Sequence, residues 1–469
     1  MVTLSRFAHT FDLGETLALY HSLRMKPVYL SRETYEGLQA WLASPFCSGF
    51  DNVPASIKED VMQLKKWKIL SDKPNEDEKV LEFIRSRIPD PAISVCYMIL
   101  SEQCNLACKY CFLGNNDTEK RNHFNLESMS PDVADRAVDF YVKQLKKSGL
   151  NFDKEKPVVI FYGGEPLVNY SALVRIAKKL LSLKSTEPCL KNLEMSMVTN
   201  SLLLDKEKIL KLKELGVGIG ISIDGFTAAE NAMRVDRAGN PVFDQILEKI
   251  KLCQELGVNI TLSVTLSEET VKHRENVINL VKKYGIKSFG FNIMMSSDTF
   301  ILPEEYNETA AQFIIDEFKE LRELGIMEDR MLRKLDSFSK AQVYYSDCAA
   351  TCGGQIVVAP NGQVGICHGC LYDKKYFVTD INDEDFDCKT NPDFIEWSQL
   401  SPVNKVECLD CPALGLCGGG CPLNAMYMKK GNTIHSIDTR FCVHAKKTLE
   451  FLISDLHRIM QERKASSEG

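Results

Sequence analysis

No part of this 469-residue chain offers the roughly 20 consecutive apolar residues that a membrane span needs. An excess of positive charge is missing too. Its 57 lysines and arginines face 64 aspartates and glutamates, for a net charge of −7. A surface that holds phosphate backbones non-specifically is therefore not expected. There is no Lys/Arg-rich recognition helix of the kind that reads duplex DNA. Met1 to Thr10 lack the basic segment followed by an apolar one that marks secretion. These absences lead us to expect a cytoplasmic protein with no membrane and no nucleic-acid partner.

What is present is ordinary in bulk. Hydrophobic residues make up 44% and charged residues 26%, with a mean hydropathy of −0.16, as in folded soluble domains. The length exceeds one core, and roughly two to four domains are expected. The 17 cysteines are not ordinary. A reducing cytosol disfavours disulfides, so metal or cluster ligation is the default. Three lie between 104 and 111, and ten between 348 and 442. Cys47, Cys96, Cys189 and Cys253 are isolated and read as small buried apolar residues.

Cys104-Asn-Leu-Ala-Cys108-Lys-Tyr-Cys111 has the spacing C-x3-C-x2-C. A four-iron cube normally takes four thiolates. Three in one loop hold three corners and leave one iron open to a ligand. A zinc knuckle is the alternative, but zinc sites pair C-x2-C with a second pair of ligands. The run, with Tyr110 before its last cysteine, resembles the signature of the radical SAM (S-adenosylmethionine) superfamily. The resemblance implies a catalytic 4Fe-4S cluster on Cys104, Cys108 and Cys111. It also implies SAM as cofactor, chelated at the open iron.

From residue 94 a repeating pattern begins. Apolar strand-like runs occur at 94–100, 157–162, 193–198, 217–223, 258–265 and 286–293, separated by helical patterns. Alternation of this kind argues for α/β architecture with a parallel sheet and right-handed crossovers. The six units fall short of a full eight-unit barrel. The fold expected over 94–330 is a partial, six-unit TIM-type barrel, which is also the fold the resemblance implies.

In parallel α/β folds, sites lie at the C-terminal strand ends. The three cysteines follow the first strand and so fall on that rim. Tyr162-Gly163-Gly164-Glu165-Pro166 follows the second strand, and paired glycines let a ligand approach the backbone. Ser222-Ile-Asp224-Gly follows the fourth, with Arg234 beyond it. By the resemblance, Gly163, Gly164 and Glu165 contact the SAM amino group. Ser222 and Asp224 touch the ribose and carboxylate segment, and Arg234 pairs the carboxylate. Thr199-Asn-Ser201 and Thr265, after strands three and five, are further candidates, with a cap or turn role as the alternative.

Residues 1–75 read as a small separate unit. Runs at 17–20 and 28–30 are strand-like, and Ser31 caps a helix carrying Tyr35, Leu38, Trp41 and Leu42 on one face. A second helical pattern runs through Ile57, Val61 and Leu64. The unit resembles the winged-helix-like recognition domain of many peptide-modifying enzymes, which holds a leader peptide by strand addition. A generic cap on the catalytic domain is the alternative. Charged residues from Ser71 onward place a linker over 76–93.

The C-terminal cysteines carry a longer pattern. Cys352, Gly362 and Cys367 stand at C-x9-G-x4-C. Cys408, Cys411, Cys417 and Cys421 stand at C-x2-C-x5-C-x3-C, and Cys442 follows. The order resembles the SPASM domain of peptide-modifying radical SAM enzymes, here over 340–469. That resemblance implies two auxiliary 4Fe-4S clusters in a crossed arrangement. Cys348, Cys352, Cys367 and Cys421 would hold the first, with Cys348 as the eighth ligand that seven cysteines cannot supply. Cys408, Cys411, Cys417 and Cys442 would hold the second. Cys370 is an alternative to Cys348, a substrate contact or a free thiol, and Cys388 has no spacing partner. A pair of zinc ribbons is the alternative for the whole field.

The combined resemblance implies a radical SAM peptide maturase with three clusters. Its partners would be a ribosomally synthesised precursor peptide with a leader, and a reductant such as flavodoxin or ferredoxin. A 5′-deoxyadenosyl radical would abstract hydrogen, and an auxiliary cluster would accept an electron. Sulfatase-maturing relatives carry an aspartate base after the cysteine equivalent to Cys367, where this chain has His368. The sequence around Gly362 to His368 looks more like the thioether-forming enzymes, with His368 as a base or as a histidine satisfied by a carbonyl. Thioether cross-linking of the peptide is therefore expected. Carbon–carbon cross-linking and sulfatase-type maturation are the alternatives within the superfamily, and a zinc-dependent DNA-binding regulator is the alternative from another class.

Overall fold

In strand Val217–Ile223, Val217, Ile219, Ile221 and Ile223 are buried, while Gly218, Gly220 and Ser222 point the other way. The same period of two runs through the neighbouring strands. It turns one row of apolar residues toward the helices and the other toward the interior of a curved sheet. Small and polar residues such as Ser222, Ser263 and Thr265 on the inner row leave that interior open. The computed structural model describes residues 1–113, 126–295, 301–429 and 431–468.

The strands are β1 (Thr3–Leu4), β2 (Ala8–Asp12), β3 (Thr16–His21), β4 (Pro27–Ser31), β5 (Leu70–Ser71), β6 (Val95–Ser101), β7 (Val158–Gly163), β8 (Glu194–Thr199), β9 (Val217–Ile223), β10 (Ile260–Leu266), β11 (Ser288–Ile293), β12 (Met327–Glu328), β13 (Gln355–Val358), β14 (Gln363–Gly365) and β15 (Phe377–Asp380). Strands β6 to β11 are parallel neighbours in chain order. Helices Pro131–Ser148, Tyr170–Leu183, Lys206–Glu214, Phe243–Glu255 and Glu275–Tyr284 connect them. This is the partial, six-unit TIM-type barrel expected from the alternation. Pro131–Ser148 shows how such a helix is bounded. The Ser130 hydroxyl accepts from the Val133 amide at 3.2 Å, proline opens the first turn, and Gly149 closes it in the left-handed conformation.

The sheet does not stop at six strands. It has ten, with β12 beyond β11 and β13, β14 and β15 beyond β6. Strand β13 pairs in parallel with β6, Gln355 against Val95 through Val358 against Met98. The C-terminal cysteine region is thus sewn directly onto the first barrel strand.

Residues 1–71 form the antiparallel sheet β2-β3-β4, the small β1–β5 pair and helices Arg32–Leu42 and Lys58–Lys66. Ser31 caps the first helix, its hydroxyl 3.1 Å from the Thr34 amide. The expected linker differs. Residues Glu76–Arg85 are helical, with Val80, Leu81 and Ile84 buried against Phe7, Leu23, Leu409 and Leu414. The charges at Glu76, Asp77 and Glu78 that suggested a linker belong to the helix's first turn, where they favour its N-terminus.

The N-terminal unit also touches the C-terminal region directly. Tyr20 stacks on Phe338 at 6.3 Å, and the Tyr29 hydroxyl donates to the Ile453 carbonyl at 2.8 Å. Ile453 lies on the last helix, Thr439–Glu468. Among the described residues no helix is long and apolar enough to cross a membrane. The Gly415 amide donates to the Ser22 carbonyl at 3.1 Å. A Cβ on Gly415 would collide with that carbonyl and sit 3.1 Å from the Met25 sulfur. Gly415→Ala is therefore expected to destabilise the protein by ~1–3 kcal/mol through overpacking, read as a lowered thermal midpoint, while Gly14→Ala, where a Cβ meets nothing within 4 Å, strains only a local turn.

Candidate active site

Strand β6 ends at Ser101 and runs into the loop that carries Cys104, Cys108 and Cys111. The loop is held from two sides. The amides of Ala107 and Lys109 donate to the carbonyls of Val235 and Met233 at 2.9 and 3.0 Å. The amides of Gly164 and Glu165 donate to the carbonyls of Ser101 and Gln103, both at 2.9 Å. Gly163 has φ +147, and a Cβ there would collide with the Ser101 carbonyl. Gly164 is equally tight against Gln103. The paired glycines expected to admit a ligand thus first admit the cysteine loop itself.

All three cysteines line a cavity of about 670 Å³ in the barrel interior. Tyr110, Gly163, Gly164, Glu165, Ser222, Arg234 and Thr265 line it as well. Glu165 is 1% exposed, and burial pushes its carboxyl up to about 7. It accepts from the Thr199 hydroxyl at 2.6 Å and from the amides of Asn200 and Leu167 at 2.8 and 3.1 Å. A carboxylate has about four acceptor positions, so roughly one remains for a ligand amine.

Two residues differ from expectation. Asp224 is fully buried and absent from the cavity wall. Its Oδ1 accepts from the Tyr110 hydroxyl and from Arg234, at 3.2 Å from Nε and 2.6 Å from Nη2. Arg234 also donates to the Tyr110 hydroxyl at 2.7 Å. Burial raises the Asp224 carboxyl, opposed by the Arg234 charge. Arg234 is thus committed to holding Tyr110 beside Cys111, and Asp224 works from behind it. Ser201, which takes φ +69, lies outside the cavity lining as well.

Cys348, Cys367 and Cys421 line the same cavity from the opposite side. The β13–β6 pairing puts them there, since Cys352 immediately precedes this hairpin and Cys367 follows it. Cys352 is partly buried behind Cys348, 3.3 Å from the Ala349 carbonyl. Cys370 is buried beside Cys367 and Cys388 is buried beside Pro91. Cys408, Cys411, Cys417 and Cys442 share a separate small pocket near Lys405 and Asp438. Between Cys417 and Cys421 stand Gly418, Gly419 and Gly420, at φ +75, +85 and +74. Three successive left-handed residues are within reach of glycine alone, and they turn the chain from one cysteine set to the other.

Among the described residues no three His, Cys, Asp or Glu side chains converge tightly enough, as they stand, to ligate a single metal ion. The soft thiols nevertheless fit iron–sulfur clusters: six line the main cavity, three on each side, and four line the small pocket. Burial pushes Cys104 and Cys421 up to about 12 and Cys108 and Cys408 up to about 11. Metal-free thiols here stay protonated, so cluster binding must release protons.

The wall between the cysteine sets is aromatic. His368 stacks on Tyr97 at 4.5 Å and meets Tyr162 edge-on at 5.0 Å, with Phe112 at 5.9 Å. Among the described residues its Nδ1 has no partner, and burial holds the imidazole down at about 4. The carbonyl-bonded alternative for His368 therefore does not apply to Nδ1. Tyr97, Asn292, Arg330 and Arg440 also line the cavity and were not singled out from the sequence. Strand parity was the available signal, because Tyr97 shares the inner row of β6 with Val95.

Residues 98–281 match the family model described as the Radical SAM superfamily. The chain is 23% identical over 459 residues to the radical SAM cyclopropyl synthase TigE of Paramaledivibacter caminithermalis, covering 92% of each. It is 24% identical over 353 residues to the antilisterial bacteriocin subtilosin biosynthesis protein AlbA of Bacillus subtilis, covering 71% of this chain and 67% of AlbA. Among solved structures it superposes on native anSMEcpe with bound AdoMet and Cp18Cys peptide, with TM-score 0.62 and 20% identity over 79% of this chain and 100% of that one. The cavity and its cysteine loop therefore belong to a radical SAM domain. The chain thus carries a radical SAM domain over residues 98–281, and it is similar to a cyclopropyl synthase, a bacteriocin biosynthesis protein and anaerobic sulfatase-maturating enzymes.

Replacing Arg234 by Met would leave the Asp224 carboxylate buried without its cation. The expected cost is ~3–5 kcal/mol, against a smaller cost for Tyr110→Phe, which removes the hydroxyl's bonds to Asp224 and Arg234 but leaves the ion pair in place. Urea unfolding of the metal-free protein ranks the two.

Proposed function

We propose that this chain matures a ribosomally synthesised precursor peptide by closing an intramolecular thioether between a cysteine sulfur and a carbon of another residue. The observation that carries the reading is one shared cavity. Cys104, Cys108 and Cys111 line one side, Cys348, Cys367 and Cys421 the other, and the aromatic wall stands between. A peptide carbon held in that space lies within reach of both redox centres.

In this reading Cys104, Cys108 and Cys111 hold the catalytic 4Fe-4S cluster. Cys348, Cys352, Cys367 and Cys421 hold one auxiliary cluster, and Cys408, Cys411, Cys417 and Cys442 hold the other. Bound SAM, on one-electron reduction, supplies a 5′-deoxyadenosyl radical. Glu165 orients the amino group with its remaining acceptor position, and Gly163, Gly164, Ser222 and Thr265 shape the seat. Tyr110 and Arg234 fix the cysteine loop, with Asp224 behind them. Tyr97, Tyr162 and Phe112 keep water from the target carbon. The balance is simple. A C–H and an S–H bond break and a C–S bond forms. The radical that bound SAM would supply would take the hydrogen atom, His368 or solvent would take the proton, and a cluster held by Cys348, Cys352, Cys367 and Cys421 would take the electron. The N-terminal unit, with β2 and β4 as open edges of its sheet, receives the leader by strand addition. A flavodoxin or ferredoxin supplies electrons.

Carbon–carbon closure is a second reading, favoured by the relative that matches over 92% of both chains and is a cyclopropyl synthase. Anaerobic reaction with the precursor peptide separates the two. Both give a product lighter by two hydrogens, but only thioether closure removes a thiol that iodoacetamide otherwise alkylates. A product of unchanged mass on every short peptide, with turnover on a sulfatase instead, would sink both. Replacing Cys104, Cys108 and Cys111 by alanine is expected to abolish 5′-deoxyadenosine formation entirely while the iron of the auxiliary sets remains, measured by chromatography and iron assay.

A further inference from the structure

A buried charge cluster lies between the two auxiliary cysteine sets: Asp347, at the edge of the cavity above, is flanked by Lys334 and by Arg330, whose Nη1 is 3.5 Å from its Oδ2. Lys334, on helix Asp329–Lys340, is 1% exposed. Burial strongly disfavours an ammonium unless it is compensated. Its Nζ donates to the Cys417 carbonyl at 3.0 Å and the Leu416 carbonyl at 3.4 Å. It lies 3.6 Å from Asp347 Oδ1. Asp347 is itself buried and directly precedes Cys348. Its amide donates to the Gly418 carbonyl at 3.0 Å. The cation therefore sits on the loop of one cysteine set, and the anion adjoins the other.

A thiolate-ligated cluster carries net negative charge, and that charge grows by one on reduction. A fixed cation nearby favours the reduced state and a fixed anion disfavours it, more strongly where water is excluded. Lys405 is a second cation at the Cys408 set, but it is partly exposed and donates to the Ser436 carbonyl at 3.0 Å. Solvent screens it in a way that it cannot screen Lys334.

We propose that Lys334 and Asp347 are positioning residues that set the redox poise of the two auxiliary clusters in opposite directions. Lys334 eases reduction of the cluster on Cys408, Cys411, Cys417 and Cys442. Asp347 hinders reduction of the cluster that includes Cys348. The pair thus makes the second cluster the better electron acceptor. This inference rests on the assignment of the two cysteine sets to clusters.

The test is potentiometric titration of the reconstituted holoenzyme, followed by electron paramagnetic resonance, for wild type, K334M, K334R and D347N, each with iron and sulfide counted first. K334M should lower the ratio of reduced to oxidised second cluster at least tenfold at a given potential, about 59 mV for a one-electron couple. D347N should shift the first cluster by a similar factor in the opposite sense, and K334R should stay within about twofold of wild type, because it keeps the charge. Shifts of the same sign in K334M and D347N, or unchanged potentials at full iron, overturn the proposal. Should K334M lose its iron, D347N decides: without a rise in potential the proposal fails. A wild-type protein with no cluster on the second set would overturn the assignment beneath it, and the iron count reveals that before any titration.

Discussion

Four residues of parallel pairing, Gln355–Val358 against Val95–Met98, organise this molecule. Strand β6 delivers the catalytic cysteine loop at its C-terminal end. Strand β13 lies beside it with Cys352 just before and the β14 turn leading to Cys367. Because the two strands share a register, cysteines some 250 residues apart in sequence face one another across a single cavity. Had the C-terminal region been a domain on a tether, no such fixed relation would hold. All four residues of β13 are buried, so slippage by one position would exchange its two rows and take Gln355 from the Ile366 carbonyl it donates to.

Around that pairing, buried charge is handled in a consistent way. Arg234 with Asp224, Arg440 with Asp438 and Lys334 with Asp347 are each nearly sealed from solvent. Each also holds a cysteine segment to the barrel. Arg234 holds Tyr110, Asp438 accepts from the Cys421 amide at 3.1 Å while Arg440 reaches the Ile293 carbonyl at 2.7 Å, and Lys334 holds Cys417. Paired burial of this kind specifies geometry more than it adds stability. A protein that must keep redox centres at fixed separation gains from that trade.

Much of this was legible in the sequence. Strand periodicity located all six barrel strands within two residues, since each inner and outer row alternates cleanly. The cysteine sets that the resemblance implies line the two pockets, except Cys352, which lies outside the main cavity's lining. The losses have physical causes. Helix Glu76–Arg85 read as a linker because its charges precede its apolar stripe, which is only three residues wide. Strands β13 to β15 were missed because three or four residues give no readable period, and tertiary pairing makes them strands. Asp224 was expected at a ligand, but its hydrogen bonds to Arg234 and Tyr110 behind the cavity wall are set by contacts that no local window contains. Arg330 and Arg440 escaped notice for the same reason.

The triple glycine has a consequence for how the protein comes into being. Cys417 and Cys421, four positions apart, turn toward different cysteine sets, and each set also draws on distant sequence: Cys348 for one, Cys442 for the other. Neither nest of thiols exists until most of the polypeptide has left the ribosome. Under the proposed assignment iron reaches these sets only after most of the chain has been made, and a chain stalled short of its last helix would expose soft, oxidisable sulfur with nothing to hold.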